Sequence, residues 1–379
     1  MTPRASRSAA PEEREPTGID QIPVWTGVSV RAPRAFRDGL AHLLSDLNDE
    51  QYAAVTYGEG PLLVVAGAGT GKTQVITRRV AWLIAEQRAL PEEILALTFT
   101  DRAAEEMQGR VDRLVPYGYA TTPIKTFHAW GDELLRENSH RLGISGDLRV
   151  LGRAEVVLLL REHLFELGLS RFAPLGDPTR FLGDIAGYIS RAKEEAVSAD
   201  AIEAFAAELR AKAAAVVPDA DAPAKDRKKL EEYAAALTRL SEEQGELAAV
   251  YRTYRGILAK SGLLDFGDQV LLAYEILRSD PLVAARVRER HRWLLVDEYQ
   301  DTNRLQGALV DLIAQGSGNL TAVGDDDQSI YRFRGAAISN ILGFVDRYPD
   351  AGKVVLNQEL PQHHAHLDRC ASPDSIQRS

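Results

Sequence analysis

Residues 61–73, PLLVVAGAGTGKT, place a short apolar run directly before a turn of small residues and a lysine. The amphipathic stretch TQVITRRVAWLIAEQ continues from residue 73. A short apolar run is typical of a buried strand, and the periodic stretch after it is typical of a helix. The sequence therefore predicts a strand, a tight loop and a helix in succession, which is the context of a phosphate-binding loop. The alternative is a glycine-rich turn that holds no ligand.

The residue types in this loop suit a phosphate group. Small residues let backbone N–H groups turn inward around phosphate oxygens at the start of a helix. We expect Lys72 to neutralise phosphate charge and the Thr73 hydroxyl to bind Mg²⁺. The general pattern for such loops has glycine where this chain has Ala66. The predicted phosphate-binding residues are Ala66, Gly67, Ala68, Gly69, Thr70, Gly71, Lys72 and Thr73.

A second stretch, RWLLVDEYQD at residues 292–301, ends an apolar run in carboxylates. We predict that Asp297 holds Mg²⁺, directly or through water. We predict that Glu298 orients and deprotonates the water that attacks a γ-phosphate. Taken alone, such a pair is usually only the polar end of a strand. Together with the upstream loop, it indicates a nucleotide hydrolase scaffold rather than a kinase with a glycine-rich loop.

Composition places the chain among soluble globular proteins. The 379 residues are 45% hydrophobic and 26% charged, and they are enough for two or three domains. No apolar run approaches a length of roughly eighteen residues and the N-terminus lacks a signal peptide, so we expect a cytoplasmic protein without a membrane partner. The single cysteine, Cys370, excludes an intramolecular disulfide. Because the net charge is −10, any nucleic-acid binding depends on a local surface.

The pattern of apolar residues and the local composition divide the chain into an α/β part and a helical part. Several short apolar runs end in polar turns, which predicts parallel strands whose carboxyl ends meet at a ligand site. Segments rich in Ala, Glu and Arg lie between about residues 130 and 262 and predict a helical subdomain inserted between strands of one sheet. The first 35 or so residues, rich in Pro, Arg, Ser and Glu, predict a disordered leader.

The order of the motifs resembles the UvrD/Rep/PcrA group of superfamily-one DNA helicases, over roughly residues 45–345. LNDEQYAAV resembles the Q motif of that group, and AGAGTGKT is its usual phosphate loop, in which Ala66 is normal. LTFTDRAAEEM resembles motif Ia, with Asp101 in place of Asn, and KTFHAW resembles motif Ib. LLDFGDQV resembles the segment that leaves the inserted helices, and DEYQDT and VGDDDQSIYRFRGA resemble motifs II and III.

The resemblance implies roles for individual residues around the nucleotide. Gln51 would read the adenine edge through two hydrogen bonds, and Gln328 would sense the γ-phosphate. Gln300 and Arg334 would couple the state of the nucleotide to the DNA groove. For Arg334 the alternative is a solvated surface arginine.

The resemblance also implies contacts with DNA. Stacking of bases on aromatic side chains tolerates any sequence and contributes about 1–3 kcal/mol per base. Phe333 stands where the group usually has Trp, which predicts weaker stacking. Considered singly, each aromatic is more often a core residue. The implied DNA contacts are Phe99, Asp101, His128, Tyr331 and Phe333.

The implied protein is an ATP-dependent helicase or translocase that moves 3′ to 5′ along single-stranded DNA, unwinds duplex DNA and uses ATP and Mg²⁺. Its fold would be an α/β RecA-like P-loop NTPase domain with a parallel sheet and an inserted all-helical subdomain. The expected divisions are a leader at 1–40, a first RecA-like domain at 41–128 and 263–340, the helical subdomain at 129–262, the start of a second RecA-like domain at 341–356, and an aberrant tail at 357–379.

The tail departs from the resemblance at residue 357. Where the group continues with a sequence close to NYRST, this chain has NQELPQHHAHLDRC. Permitted codons for residues 357–366, read one base later, spell Thr-Arg-Ser-Tyr-Arg-Ser-Thr-Thr-Pro, and those for 369–375 spell Ala-Ala-His-Arg-Leu-Ile. We hypothesise that the tail is a frameshifted reading of a helicase gene. The nucleotide sequence downstream of codon 356 tests this.

The tail also brings three histidines close to the cysteine. Zinc would need a fold that holds such side chains in tetrahedral geometry with ordered partners behind them. The tail offers no such scaffold, so we expect no zinc site. The side chains concerned are His363, His364, His366 and Cys370.

Three functions remain open from the sequence. The first is an ATP-dependent DNA helicase or translocase, of which this chain is the N-terminal part. The second is a binding module that holds ATP and single-stranded DNA without turnover, because the arginines of a second domain are missing. The third is an unrelated P-loop ATPase with convergent motifs.

Overall fold

The fold is given by a computed structural model that describes residues 42–115, 122–142, 148–217, 223–325 and 338–357. Several predicted features lie outside these described residues. They are the leader at 1–40, the tail after residue 357 with its histidines and cysteine, and the motif III residues Gln328, Tyr331, Phe333 and Arg334.

Short strands build one main sheet and one small sheet. The strands are β1 Leu62–Ala66, β2 Ile94–Thr98, β3 Ile124–Thr126, β4 Arg149–Leu151, β5 Leu263–Asp265, β6 Trp293–Val296, β7 Leu320–Gly324 and β8 Gly352–Leu356. Within the described ranges, the main sheet has six strands in the order β3-β2-β6-β7-β1-β8, and all of their pairings are parallel. Strands β4 and β5 form a separate parallel pair. The predicted α/β class with a parallel sheet is confirmed.

Helices follow most strands and cover the sheet. None of the described helices is long and apolar enough to cross a membrane. The α-helices of the described residues include α1 Asp49–Val55, α2 Lys72–Ala85, α3 Asp101–Leu114, α4 Phe127–Glu137, α5 Ser139–Leu142, α6 Arg153–Glu162, α7 Leu182–Glu194, α8 Ala199–Ala214, α9 Ala224–Ser261, α10 Phe266–Ser279, α11 Pro281–Arg290, α12 Arg304–Ala314, α13 Ile338–Leu342 and α14 Phe344–Arg347.

Strand β1 shows why its sequence is apolar without alternation. Leu63 and Val65 belong to one buried core, whereas Leu62, Val64 and Ala66 belong to another on the opposite face of the sheet. Successive side chains of a strand point to opposite faces, so a strand buried on both faces has no polar positions. The sheet is therefore a central layer between two helical layers.

The register of the sheet brings the candidate site together. Val65 lies opposite Gly324 in the pairing of β1 with β7, and Leu97 lies opposite Val296 in the pairing of β2 with β6. Parallel strands place their carboxyl ends at one edge of a sheet. The phosphate loop after β1 and the carboxylates after β6 and β7 consequently meet at that edge.

The helical subdomain has a core of its own, formed by parts of residues 151–202 and 247–258. Helix α9 is 38 residues long and packs along α8. Helix α4, however, belongs to the main sheet, because Phe127, Trp130 and Leu134 are buried in the core that contains Leu63. The predicted boundary at residue 129 is therefore too early. A helical sequence pattern predicts that a segment is a helix, but it does not predict which core the apolar face of that helix joins.

The last described strand also differs from the expectation. Residues 341–356 were expected to begin a second RecA-like domain, but β8 pairs with β1 along its whole length, from Leu62 opposite Gly352 to Ala66 opposite Leu356. Leu356 is 3% exposed in one core of the sheet, and Phe344 is buried in the other. The expectation is wrong for these residues, because the apolar run GKVVL completes the edge of the first sheet.

Candidate functional site

The phosphate loop joins β1 to α2, as the sequence predicts. Gly69 and Gly71 have φ values of 78° and 92°, in the left-handed region that favours glycine. The Thr70 hydroxyl donates a hydrogen bond of 2.8 Å to the carbonyl oxygen of Gly67 and closes the loop on itself. Lys72 is the first residue of α2, so the loop presents the amino end of that helix. Such an end attracts anions through its free N–H groups and its dipole.

Gln51 lies against this loop. It is the third residue of α1, where Asn48 accepts a hydrogen bond of 2.8 Å from the Gln51 backbone N–H and the Gln51 side chain accepts one of 3.3 Å from the Asn48 N–H. The Gln51 amide also donates to the carbonyl oxygen of Thr70, at 2.9 Å. The side chain therefore already bonds to protein at both ends. The amide oxygen and the amide nitrogen each retain a second hydrogen-bonding position, so the amide can keep both bonds and still offer an acceptor and a donor to an adenine edge.

Replacing Gly71 with alanine is expected to lower the free energy of unfolding by about 1–2 kcal/mol, because a side chain at positive φ is strained. An added Cβ would also lie 2.8 Å from the Gln51 amide nitrogen, which must then leave Thr70. Gly67→Ala is the matched control, since its Cβ would meet only Thr70 Cγ2, at 3.8 Å. Urea unfolding of both variants measures the difference. Equal loss of stability in the two would contradict the assignment of strain to Gly71.

Lys72 is held by carboxylates that come from distant parts of the chain. Its Nζ lies 2.9 Å from Glu298 Oε2 and 3.7 Å from Asp325 Oδ2. The side chains of Lys72 and Asp325 are 10% and 2% exposed, whereas that of Glu298 is 38% exposed. Glu298 is therefore the partner that an incoming ligand reaches first.

Asp297 is buried beside this ion pair. It is 6% exposed, and its Oδ1 accepts a hydrogen bond of 3.0 Å from the Glu298 backbone N–H. Burial, followed by the neighbouring Glu298 carboxylate, raises the pKa of Asp297 to about 6, although that N–H and Lys72 act in the opposite direction. The carboxylate consequently carries its charge at neutral pH against a desolvation cost, which a cation would relieve.

Glu298 adopts a left-handed backbone conformation, with φ 49° and ψ 43°. A residue other than glycine in this region costs roughly 1–3 kcal/mol and persists where the surroundings enforce it. Here the conformation lies at the end of β6 and accompanies the contact of the Glu298 carboxylate with Lys72. The strain therefore coincides with the predicted catalytic carboxylate.

Gln300 connects the ends of β6 and β7. Its amide nitrogen donates to Glu298 Oε2 at 2.7 Å, and its amide oxygen accepts from the backbone N–H of Asp325 at 2.9 Å. Gly324 is required beside it, since a Cβ there would lie 2.7 Å from the Gln300 amide oxygen. Asp325 was not among the predicted site residues. The sequence pattern that could have identified Asp325 is an apolar run that ends in carboxylates, as at Asp297.

The donor atoms in this site suit a hard divalent cation. Lys72 faces three carboxylates, those of Asp297, Glu298 and Asp325, so a bound triphosphate would add negative charge to an acidic site. Mg²⁺ prefers oxygen ligands and usually takes one or two carboxylates together with substrate phosphates. The predicted ligands, Thr73 and Asp297, offer oxygen atoms of this kind. The residues present therefore fit Mg²⁺.

Comparison with known proteins identifies the family. Residues 47–349 match the model of the UvrD/REP helicase N-terminal domain. The chain belongs to this family. It is 35% identical over 327 residues to the ATP-dependent DNA helicase PcrA of Leuconostoc citreum and 37% identical over 317 residues to that of Bacillus subtilis. The matches cover 86% and 83% of this chain but 38% of each relative, so the chain spans well under half the length of these proteins.

The resemblance seen in the motifs is thus confirmed. One of the residues predicted to contact DNA, His128, lies on an aromatic patch of this UvrD/REP domain. His128 meets Phe266 edge to face, with ring centroids 6.2 Å apart. Phe266 is 58% exposed and was not predicted. Burial lowers the pKa of His128, so its ring is neutral at pH 7. These two residues form the aromatic patch, and both of its rings are uncharged at pH 7.

Two other described residues were predicted to contact DNA, and both belong to motif Ia. Phe99 is half-buried and packs against Phe127, with ring centroids 5.7 Å apart. It therefore serves the core of the sheet at least in part. Asp101 is exposed at the start of α3 and accepts a hydrogen bond of 3.3 Å from the Thr126 hydroxyl, two residues before His128. That bond links motif Ia to motif Ib.

Proposed function

We propose that this chain binds MgATP at the carboxyl edge of the sheet and binds single-stranded DNA on the adjoining aromatic surface, as the ATP-binding part of an ATP-dependent DNA helicase or translocase. The observation that carries the proposal is the ion pair between Lys72 and Glu298. It joins the phosphate loop to the second motif across 226 residues of sequence, at 2.9 Å. The names of the relatives, which are ATP-dependent DNA helicases, support the same function.

The ion pair also suggests how nucleotide binding prepares the site. Phosphate oxygens compete with Glu298 for Lys72, because both are anionic acceptors for the same ammonium group. When phosphate takes Lys72, the Glu298 carboxylate is released to accept a proton from water. Thr73 and Asp297 would hold Mg²⁺, which neutralises phosphate charge when it is bound. The ligand-free pair is thus a resting state in which the proposed base is occupied.

Gln300 is placed to transmit this exchange. It touches Glu298 with one atom and the backbone of Asp325 with another, and Asp325 directly precedes in sequence the motif III residues that include Gln328. A change at Glu298 therefore acts on a hydrogen bond next to the start of motif III. We propose that this bond couples the nucleotide to the DNA surface.

A second candidate function is nucleotide-dependent DNA binding without rapid turnover. Arginines commonly stabilise the charge that develops during phosphoryl transfer. Among the described residues, no arginine forms an ion pair with Glu298 or Asp297. Within the part of the chain that the structure describes, Lys72 is the cation that pairs with Glu298.

Glu298→Gln separates the two candidates. If the chain turns over ATP with Glu298 as base, the variant is expected to retain MgATP binding and to lose about 100- to 10,000-fold in DNA-stimulated hydrolysis. Phosphate release and equilibrium binding, each with and without single-stranded DNA, measure the two properties. Glu275→Gln is the control, because Glu275 forms a comparable 2.9 Å pair with Arg255 in the helical layer.

Binding without hydrolysis in the unaltered chain would support the second candidate. Failure of the unaltered chain to bind MgATP would reject both.

A further inference from the structure

Arg79 is a fully buried arginine on α2, the helix that starts at the phosphate loop. Burial lowers its pKa to about 10, so the guanidinium remains charged at neutral pH. Its ring neighbours are Tyr57 and Trp293, whose centroids lie 5.8 and 5.9 Å away. Its hydrogen bonds run to the carbonyl oxygens of Tyr57 at 2.7 Å, Ala54 and Val55 at 3.2 Å and Gly58 at 3.3 Å, and to the Thr321 hydroxyl at 2.9 Å.

Four of these acceptors lie at or just beyond the carboxyl end of α1. The last carbonyl groups of a helix have no partner within it, and a buried one must find a partner elsewhere. Helix α1 has only seven residues, which is too short to persist without such contacts. The planar guanidinium donates from three nitrogens and reaches several carbonyls at once, whereas the three donors of a lysine ammonium all lie on one nitrogen.

The opposite end of α1 carries Gln51, which bonds to the phosphate loop at Thr70. Helix α1 is therefore fixed at its amino end to the loop and at its carboxyl end to Arg79, which lies on the helix that the loop begins. The same guanidinium bonds to Thr321 on β7, four residues before Asp325. One side chain thus joins the helix of Gln51, the helix of Lys72 and the strand that leads to Asp325.

From this geometry, and resting on the ATP-binding function proposed above, we propose that Arg79 is a positioning residue for base recognition, which holds α1 so that Gln51 meets adenine while the loop holds the phosphates. Arg79 itself bonds to backbone and to a hydroxyl. Its loss should therefore weaken the part of binding that depends on the base and leave the part that depends on phosphate.

The test compares Arg79→Lys with the unaltered 379-residue chain, in the binding of ATP, GTP and inorganic triphosphate with Mg²⁺. We expect affinity for ATP to fall by about three- to tenfold, the equivalent of one or two hydrogen bonds, and affinity for triphosphate to stay within about twofold. Arg288→Lys is the matched control, because Arg288 donates to the carbonyl oxygen of Leu312 at 2.9 Å, between α11 and α12. It should change neither value.

Hydrogen exchange of the α1 amides without nucleotide provides a readout that does not depend on ATP. Exchange should quicken in Arg79→Lys and stay unchanged in Arg288→Lys. If Arg79→Lys does not fold, Arg79→Gln, which retains a donor for one carbonyl, takes its place. If Arg79→Lys leaves the ratio of the affinities for ATP and triphosphate unchanged, whether both affinities stay the same or both fall equally, the positioning role would be overturned.

Equal affinity of the unaltered chain for ATP, GTP and triphosphate would instead reject adenine recognition by Gln51, and with it the proposed role of Arg79. Hydrogen exchange would still show whether Arg79 anchors α1.

Discussion

Lys72→Ala is expected to lower the affinity of the chain for MgATP by about 10- to 100-fold, because hydrogen bonds to charged groups contribute about 1.5–3 kcal/mol and each 1.4 kcal/mol is a factor of ten. The physical reason is specific to this site. Lys72 supplies positive charge that faces Asp297, Glu298 and Asp325, and without it only the N–H groups and dipole at the amino end of α2 offset the repulsion between phosphate and these carboxylates. Titration calorimetry with MgATP measures the change.

Lys212→Ala is the control for this experiment. Lys212 pairs with Glu208 at 2.7 Å on the surface of α8, where both side chains are 58% exposed. Its removal should leave MgATP affinity unaltered. An undiminished affinity in Lys72→Ala would mean that the nucleotide does not use the phosphate loop.

Asp297→Asn is expected to stabilise the fold in buffer without Mg²⁺ and nucleotide, by about 1–3 kcal/mol at pH 7.5. Folding moves the pKa of Asp297 from its ordinary value of 3.8 to about 6, and each unit corresponds to about 1.4 kcal/mol. The charged carboxylate therefore destabilises the folded state, and an amide of the same shape does not. Urea unfolding of both proteins measures the difference.

The pH dependence of this difference follows from the direction of the shift. Below about pH 4 the carboxyl group is protonated in both the folded and the unfolded chain, so it costs nothing. Between pH 4 and 6 the unfolded chain loses the proton first, and stability falls as pH rises; above pH 6 the full cost is present. The advantage of Asp297→Asn should therefore shrink as pH falls from 7 to 4. An advantage that grows on acidification would contradict the raised pKa.

The parts of the site that the sequence predicts are those in which local pattern and sheet geometry agree. An apolar run followed by small residues and Lys72 predicts a loop at a strand end, and another run that ends in Asp297 predicts a carboxylate at a strand end. Because all strands of the main sheet are parallel, both ends lie at one edge. That the phosphate loop and the Asp297 carboxylate lie at the same edge therefore follows from topology.

The parts that the sequence misses depend on contacts between distant segments. Arg79 stands in an amphipathic helix beside Arg78, and no local pattern shows that one of them is buried under the end of α1. Phe266 meets His128 across 138 residues of sequence, so their shared surface appears only after folding. Strand β8 follows the motifs of the first domain, and only its pairing with β1 shows that it completes the same sheet.

Binding of ATP to the unaltered 379-residue chain, measured by calorimetry with Mg²⁺ and again after its removal with EDTA, tests the proposed site most directly. Lys72 is opposed by three carboxylates at neutral pH, so ATP without a divalent cation adds charge to an acidic site. We predict saturable binding with Mg²⁺ and an affinity at least about tenfold lower without it. Equal affinity in the two conditions, or no binding in either, would contradict the assignment of Lys72, Asp297 and Glu298 to a MgATP site.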